Sequence, residues 1–396
     1  MQLPGITRRD FLKAVGVTTA MAATGTIPPL LYASERRFAT YPQKANLLLL
    51  TSRPPQLETP LSYFRELITP NDALFVRWHL ANIPTSVDLG TWRLAVHGNI
   101  EKELSLSLDD LKKFEKMSYT AVIQCAGNGR SFFEPPVFGG QWQNGAMGNV
   151  TWGGVRLRDV LKSAGIKAGS LEVVFKGLDR PPLPTVPGFA KSLALDKALE
   201  DEIMVAYEMN DQELPLLNGF PVRLVVPGWY ATYWVKSLSD IEVTAQPFEG
   251  FWKKSAYRIP DNACGCVEPG SVPAKTTPIN RMTTRSLLID PQDGSRLKAG
   301  QPVELMGIAF SGGYSIKEVL VSVNGGRDWR PARLGKDMGR HSWIQWFFPI
   351  MPEKPGSYEV MARAVNSIGE SQPLDSLWNP AGYLWNKIER NTLIVV

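Results

Sequence analysis

The stretch Tyr119-Thr120-Ala121-Val122-Ile123-Gln124-Cys125-Ala126-Gly127-Asn128-Gly129-Arg130 decides how this chain is read. Its first half is β-branched and apolar, the pattern of a buried strand, and its second half carries the glycine and asparagine punctuation of a turn. Cys125 therefore falls at a strand's end, among small residues that let backbone approach a ligand closely. A thiolate is a soft ligand for a transition metal, and Arg130, five positions on, is a fitting cationic neighbour for one. The plain alternative is a core cysteine beside a turn, since free cysteine is among the most buried residue types.

Working outward, Thr7-Arg8-Arg9-Asp10-Phe11-Leu12-Lys13 reads as a twin-arginine export signal, followed by a weakly apolar stretch from Ala14 to Ala33. Thr18, Thr19, Gly25, Pro28 and Pro29 make that stretch a poor membrane span. The expected location is the periplasm, and export in the folded state suggests a cofactor inserted beforehand. The alternative is an amphipathic helix or an uncleaved anchor.

Composition fits a soluble enzyme of two or three domains: 396 residues, 44% hydrophobic and 20% charged. The formal charge is +5, of which residues 1–33 contribute +2 (Arg8, Arg9 and Lys13 against Asp10), leaving +3. No basic run accompanies it, so nucleic acid is not an expected partner. Three cysteines, Cys125, Cys264 and Cys266, exclude a disulfide scaffold, and three histidines leave a four-ligand zinc site without partners. Cys264 and Cys266 read as free or bridged loop residues. Neither a covalent haem motif nor a dinucleotide or Walker fingerprint occurs.

Residues 34–270 mix strand and helix signals and are rich in glycine and proline. Short helices are expected over Leu106–Phe114 and from Val155 to Gly165, and strands over Leu171–Phe175 and Val222–Val226. An α+β core with irregular connections follows. Val267–Asp290 reads as a linker, with Pro269, Pro273 and Pro278 among polar residues. Beyond it, Val319, Val321 and Val323 alternate before Asn324-Gly325-Gly326. Trp343–Phe348 forms another run, and Tyr358, Val360, Ala362 and Ala364 alternate again. This pattern suggests an immunoglobulin-like sandwich, a module more often used for packing or dimerisation than for catalysis.

Further candidate residues lie in Phe75-Val76-Arg77-Trp78-His79, where Arg77 and His79 would share a strand face and could hold an anion. Others lie in Asn218-Gly219-Phe220-Pro221-Val222-Arg223, at Lys236, and in Phe251-Trp252-Lys253-Lys254-Ser255-Ala256-Tyr257-Arg258. Each alone is equally a surface charge or a core aromatic.

Together these segments resemble the sulfite oxidase family of molybdopterin enzymes, and in particular the exported bacterial sulfite dehydrogenases that lack a haem domain. The resemblance spans nearly the whole chain after the signal and rests on the Gln-Cys-Ala-Gly-Asn-x-Arg motif, Arg77-Trp78-His79, the Asn218–Arg223 segment with Lys236, and Trp152-Gly153-Gly154. It implies three segments: a signal over 1–33, an α+β molybdopterin-binding catalytic domain over 34–270, and an immunoglobulin-like dimerisation domain over 271–396. It also implies that Cys125 ligates molybdenum, with the remaining sulfur ligands supplied by molybdopterin. Arg77, Arg130, Tyr257 and Trp142 then form the oxyanion pocket, with His79 beside the metal and pterin. Arg223 and Lys236 contact the pterin, and Asp179 accepts a hydrogen bond from it. Asn218 stands where vertebrate members carry histidine, which puts one phosphate contact in doubt. The arginine that the vertebrate C-terminal domain adds to the pocket has no match around Trp343–Phe348. The implied reaction is oxidation of sulfite to sulfate, with electrons passed to an external acceptor such as a c-type cytochrome, by a homodimer or heterodimer. The rival readings are an exported sulfoxide reductase, the molybdenum subunit of a sulfur-compound dehydrogenase acting on protein-bound sulfur, and a metal-free binding module.

Overall fold

The computed structural model describes residues 36–396; the twin-arginine stretch and the residues after it, to position 35, lie outside the described residues. From Phe38 to Val396 the chain forms one compact unit. It is strand-rich. The α-helices among the described residues are short, the longest running Leu157–Ala164. That helix buries Leu157, Val160, Leu161 and Ala164 on one stripe. A second helix, Leu108–Leu111, is closed by a capping box between Ser107 and Asp110.

Three sheets build the first part. A four-stranded antiparallel sheet ends on Val76–Arg77, which pairs with Pro55–Glu58. A second, five-stranded sheet centres on Glu172–Gly177 and Leu238–Thr244, the latter parallel to Leu94–Gly98. The third holds the deciding stretch. Lys116–Gln124 pairs antiparallel with Met147–Arg156 over nine residue pairs, from Lys116 opposite Val155 to Gln124 opposite Met147. Met204–Met209 pairs with the other edge of Met147–Arg156, and Arg223–Val225 pairs with Met204–Met209 in turn. The run Val122, Ile123, Val150, Trp152 and Val155 is buried, as a strand covered on both faces must be.

The expected linker is partly ordered as strand. Thr276–Pro278 pairs with Arg258–Pro260, and Arg285–Asp290 is an edge strand of the C-terminal sheet beside Val303–Phe310. Its Leu287, Leu288 and Ile289 are buried, so this is core sequence despite the prolines before it. The C-terminal part consists of a four-stranded and a five-stranded sheet. Leu305 and Trp346 from one and Val319, Val360 and Ala364 from the other share a single apolar core. Cys264 and Cys266 are joined by a disulfide. No described helix is long and apolar enough to cross a membrane.

Candidate active site

Cys125 follows directly on the strand Lys116–Gln124, and its amide donates to Ala146 O at 2.9 Å. The turn after it is pinned from both ends. Asn128 donates to Cys125 O through its amide, and its side-chain Oδ1 accepts from the Ala146 amide at 2.9 Å. Glycine is required twice here. A Cβ on Gly127 would come within 2.6 Å of Arg130 Nη1, and one on Gly129, at φ +88°, within 2.3 Å of Trp385 Cδ1. The turn is thus shaped around the Arg130 guanidinium, and Cys125 is left 8% exposed.

Two cavities meet at Cys125. The inner one is lined by His79, Asn218, Arg223, Thr232 and Lys236 among others; the outer one, of about 250 Å³, by Gln56, Arg130, Phe138, Trp142, Ala381 and Tyr383 among others. Arg77, Cys125 and Tyr257 line both. Of the ten residues singled out in the sequence, Asp179 alone lines neither. It is buried, and burial raises its carboxyl while Lys236 opposes the shift.

The strand carrying Arg77 ends at Arg77 itself, so His79 is placed by loop backbone rather than by strand alternation. His79 stacks on Phe189, with ring centroids 3.8 Å apart, and its Nε2 lies 2.5 Å from Tyr257 Oη. Burial first, then Arg77, Lys236 and Lys191, hold its imidazole well below the ordinary histidine range. Tyr257 takes a positive φ of 59° and stacks on Tyr383 at 5.4 Å. Burial pushes its phenol up, with Arg77 pulling the other way.

The inner cavity is surrounded by buried and half-buried cations. Lys236 Nζ donates to Arg77 O at 2.7 Å and lies over the Trp78 ring; burial, with help from Arg223, lowers its ammonium to about 7. Arg223 donates to Asn218 O and Trp234 O, and burial pushes it down to about 9, which leaves it charged at neutral pH. Arg77 Nη1, Arg223 Nε and Thr232 Oγ1 are buried without a protein partner. Buried donors and charges in this state call for an anionic ligand rich in acceptors, and a phosphate-bearing pterin fits them.

Arg130 is used differently from Arg77. Its Nε and Nη2 both donate to Ala381 O, its Nη1 donates to Gly140 O at 3.1 Å, and the guanidinium lies over the Tyr383 ring. Its donors tie the pocket wall together while its charge adds to the field there. Trp142 is buried and packs edge-on against Phe75.

The sequence did not point to Tyr383, Ala381, Gln56 or Phe138 in the outer pocket, nor to Lys191. Lys191 Nζ sits over the Tyr233 and Tyr257 rings, and burial lowers it to about 7. The C-terminal part contributes to the pocket through residues 381–383, whereas Trp343 is core, packed on Phe64. One further group of potential metal ligands, His97, Asp240 and Glu242, lies in the second sheet with Lys176 Nζ within 3.2 Å of both carboxylates.

Comparison with known proteins decides the family. Residues 80–252 match the oxidoreductase molybdopterin binding domain, residues 276–395 the Mo-co oxidoreductase dimerisation domain, and residues 5–25 the twin-arginine translocation pathway signal sequence. Over 360 residues the chain is 35% identical to the sulfite oxidase of Gallus gallus, covering 87% of this chain and 77% of that protein. The chain belongs to the sulfite oxidase family. It is 36% identical over 365 residues to the mitochondrial sulfite oxidase of Mus musculus, covering 88% of this chain and 66% of that protein, and so spans about two thirds of that relative's length. The sulfane dehydrogenase SoxCD from Paracoccus pantotrophus has the same fold, with a TM-score of 0.75 over 92% of this chain and 90% of that chain at 24% identity. As a member of the sulfite oxidase family the protein is an oxidoreductase with a molybdopterin-bound molybdenum cofactor, and its signal directs it through the twin-arginine pathway to the periplasm.

Proposed function

We propose that this protein oxidises sulfite to sulfate and passes the electrons to a separate acceptor, a c-type cytochrome being the simplest. The observation that carries the reading is the position of Arg77, Cys125 and Tyr257, which line both the cation-rich inner cavity and the outer pocket. In this reading the inner cavity holds the pterin, with Asn218, Arg223 and Lys236 toward its phosphate and His79 and Asp179 near its ring system, and the Cys125 thiolate ligates molybdenum. When bound, the cofactor accepts two electrons and supplies the oxygen atom transferred to sulfur.

The protein's own residues bind and orient. Arg77 turns its unpaired Nη1 toward the sulfite oxygens, where a charge-assisted hydrogen bond contributes roughly 1.5–3 kcal/mol. Arg130, fixed on Ala381 O and Gly140 O, adds positive field. Trp142 walls the pocket. With His79 neutral and protonated on Nδ1, Tyr257 donates its proton to His79 Nε2 and its oxygen remains an acceptor. The C-terminal sheets are read as an immunoglobulin-like dimerisation module beginning near residue 271, which favours sulfite oxidation over sulfoxide reduction.

A second reading has support of its own. Phe138, 87% exposed, stands at the outer pocket beside Gly139 and Gly140, with Tyr383 and Trp142 further in. An open aromatic rim suits sulfur carried on a larger molecule, as in a dehydrogenase acting on protein-bound sulfur. Sulfite-dependent reduction of cytochrome c by purified protein of measured molybdenum content tests the first reading. A molybdenum-replete sample that ignores sulfite but oxidises a peptide persulfide would replace it with the second.

A further inference from the structure

We infer that Lys44 is a positioning residue for the cofactor, holding Asn218 in place and adding its charge at the phosphate end of the inner cavity. This rests on the assignment of that cavity to the pterin. Lys44 is 6% exposed. Its Nζ donates to Asn71 O at 2.7 Å and to Asn218 Oδ1 at 2.9 Å. The other end of the Asn218 amide donates to Phe75 O, and the Asn218 carbonyl takes the Arg223 Nη1 bond at 2.8 Å. Asn218 and Arg223 line the inner cavity, and Lys44, which is not in that lining, reaches it through Asn218.

Among the described residues no carboxylate pairs with Lys44; Asp72 acts on it only through space. Burial lowers its ammonium to about 7, as it does for Lys236. Two carbonyl acceptors are served as well by a neutral donor. Keeping an ammonium out of water without a counter-ion costs several kcal/mol, and that cost is offset only when an anion arrives nearby. Arg223, buried, and Lys236, half-buried, are cations at the same place, and the acidic groups that act on Lys236 are Asp179 and the Cys125 thiol. Asn218 is thus backed by a lysine from the N-terminal part of the chain.

Lys44→Met, Lys44→Gln and Lys44→Arg should be compared with wild type as full-length exported protein. Pterin content and release are followed by conversion to a fluorescent oxidation product, and melting is measured for loaded protein and for protein made in cells lacking the pterin. The neutral variants should release pterin about tenfold faster than wild type, and Lys44→Arg within about twofold. Without cofactor, Lys44→Met should lose less melting temperature than it does when loaded, because the two hydrogen bonds to Asn71 O and Asn218 Oδ1 are lost in both states while the attraction to the anion is lost only in the loaded one. Release from both neutral variants at the wild-type rate overturns the inference. So does equal loss of melting temperature with and without cofactor, or failure of both neutral variants to fold without it, since each marks a merely structural lysine. A folded wild-type sample with no pterin refutes instead the assignment of the cavity on which the inference rests.

Discussion

Tyr257 Oη lies 2.5 Å from His79 Nε2, and the histidine is held neutral by burial and by three neighbouring cations. In the neutral tautomer protonated on Nδ1, the imidazole accepts at Nε2 and the tyrosine is the donor. In that tautomer the phenol proton is directed at the histidine and the oxygen lone pairs are left free to accept. The stack on Tyr383 fixes the ring plane from the other side.

Tyr257→Phe removes this hydrogen bond and keeps the stack. Turnover of sulfite should fall by about twofold to tenfold, as the loss of one hydrogen bond of roughly 0.5–1.5 kcal/mol implies, while pterin content stays at the wild-type level. Steady-state kinetics with a pterin assay on the same sample check this. An unchanged kcat would reduce Tyr257 to a packing residue.

Arg77→Gln removes a guanidinium whose Nη1 is buried and unpartnered at the residue that lines both cavities. Loss of a charge-assisted bond of roughly 1.5–3 kcal/mol corresponds to a rise in KM for sulfite of about tenfold to a hundredfold. Arg130→Lys should act otherwise: its donors hold Ala381 O and Gly140 O, so the loss should appear in melting temperature as well as in KM. If Arg77→Gln leaves KM unchanged, the anion is held elsewhere.

Much of this site was legible in the sequence because its determinants are local. The run from Tyr119 to Ile123 announces a buried strand by composition, and the glycines after it announce a turn, so the position of Cys125 follows. The helix after Arg156 is equally local, set by the stripe Leu157, Val160, Leu161 and Ala164. What could not be read are residues brought in by tertiary packing. Tyr383 has no motif around it and reaches the pocket only because the C-terminal segment folds back over the Cys125 turn. Lys44 and Lys191 look like surface lysines in sequence, because burial of a charge leaves no local signature. Arg285–Asp290 was misread as linker because the prolines before it outweighed a short apolar run.

Cys125→Ser keeps the shape of the turn, since the backbone bonds of residues 125 and 128 do not involve sulfur. The protein should fold and retain most of its pterin but lose nearly all sulfite turnover, together with the sulfur-to-metal charge-transfer absorption of the oxidised enzyme. Normal activity in this variant would remove the thiol from the mechanism.

The buried lysines set a pH dependence of stability for protein without cofactor. Lys44, Lys191 and Lys236 have folded-state values of about 7, against about 10.4 when unfolded. Between these limits the unfolded chain binds more protons than the folded one, so stability rises with pH across roughly 7 to 10. His79 acts in the same direction lower down. Its depressed value means that stability falls as pH drops below about 6.5, where the unfolded histidine takes up a proton and the folded one does not. Melting of cofactor-free protein should therefore climb from pH 6 to pH 9, and the climb should flatten once an anion occupies the cavity and raises the lysines. A flat profile without cofactor would show that these ammonium groups are compensated.

Arg285 carries the last prediction. It is fully buried on the C-terminal edge strand, and its Nη2 donates to Asn144 Oδ1 at 2.5 Å and to Glu389 Oε1 at 3.0 Å. Asn144 in turn offers its carbonyl to Asn128 Nδ2 in the Cys125 turn. One guanidinium thus ties the C-terminal sheet to the backbone that presents the thiol. Removing one partner of a buried pair costs about 3–5 kcal/mol, because the other charge is left without compensation. Arg285→Met should accordingly lower the melting temperature by several degrees and speed loss of the cofactor. Glu389 would keep its bond from Asn144 Nδ2 but lose its counter-charge. Arg285→Met combined with Glu389→Gln should therefore recover part of the loss, in the manner of coupled neighbours. If the double variant is as unstable as the sum of the two single ones, the two side chains act independently, and the tie between sheet and turn rests on Asn144 alone.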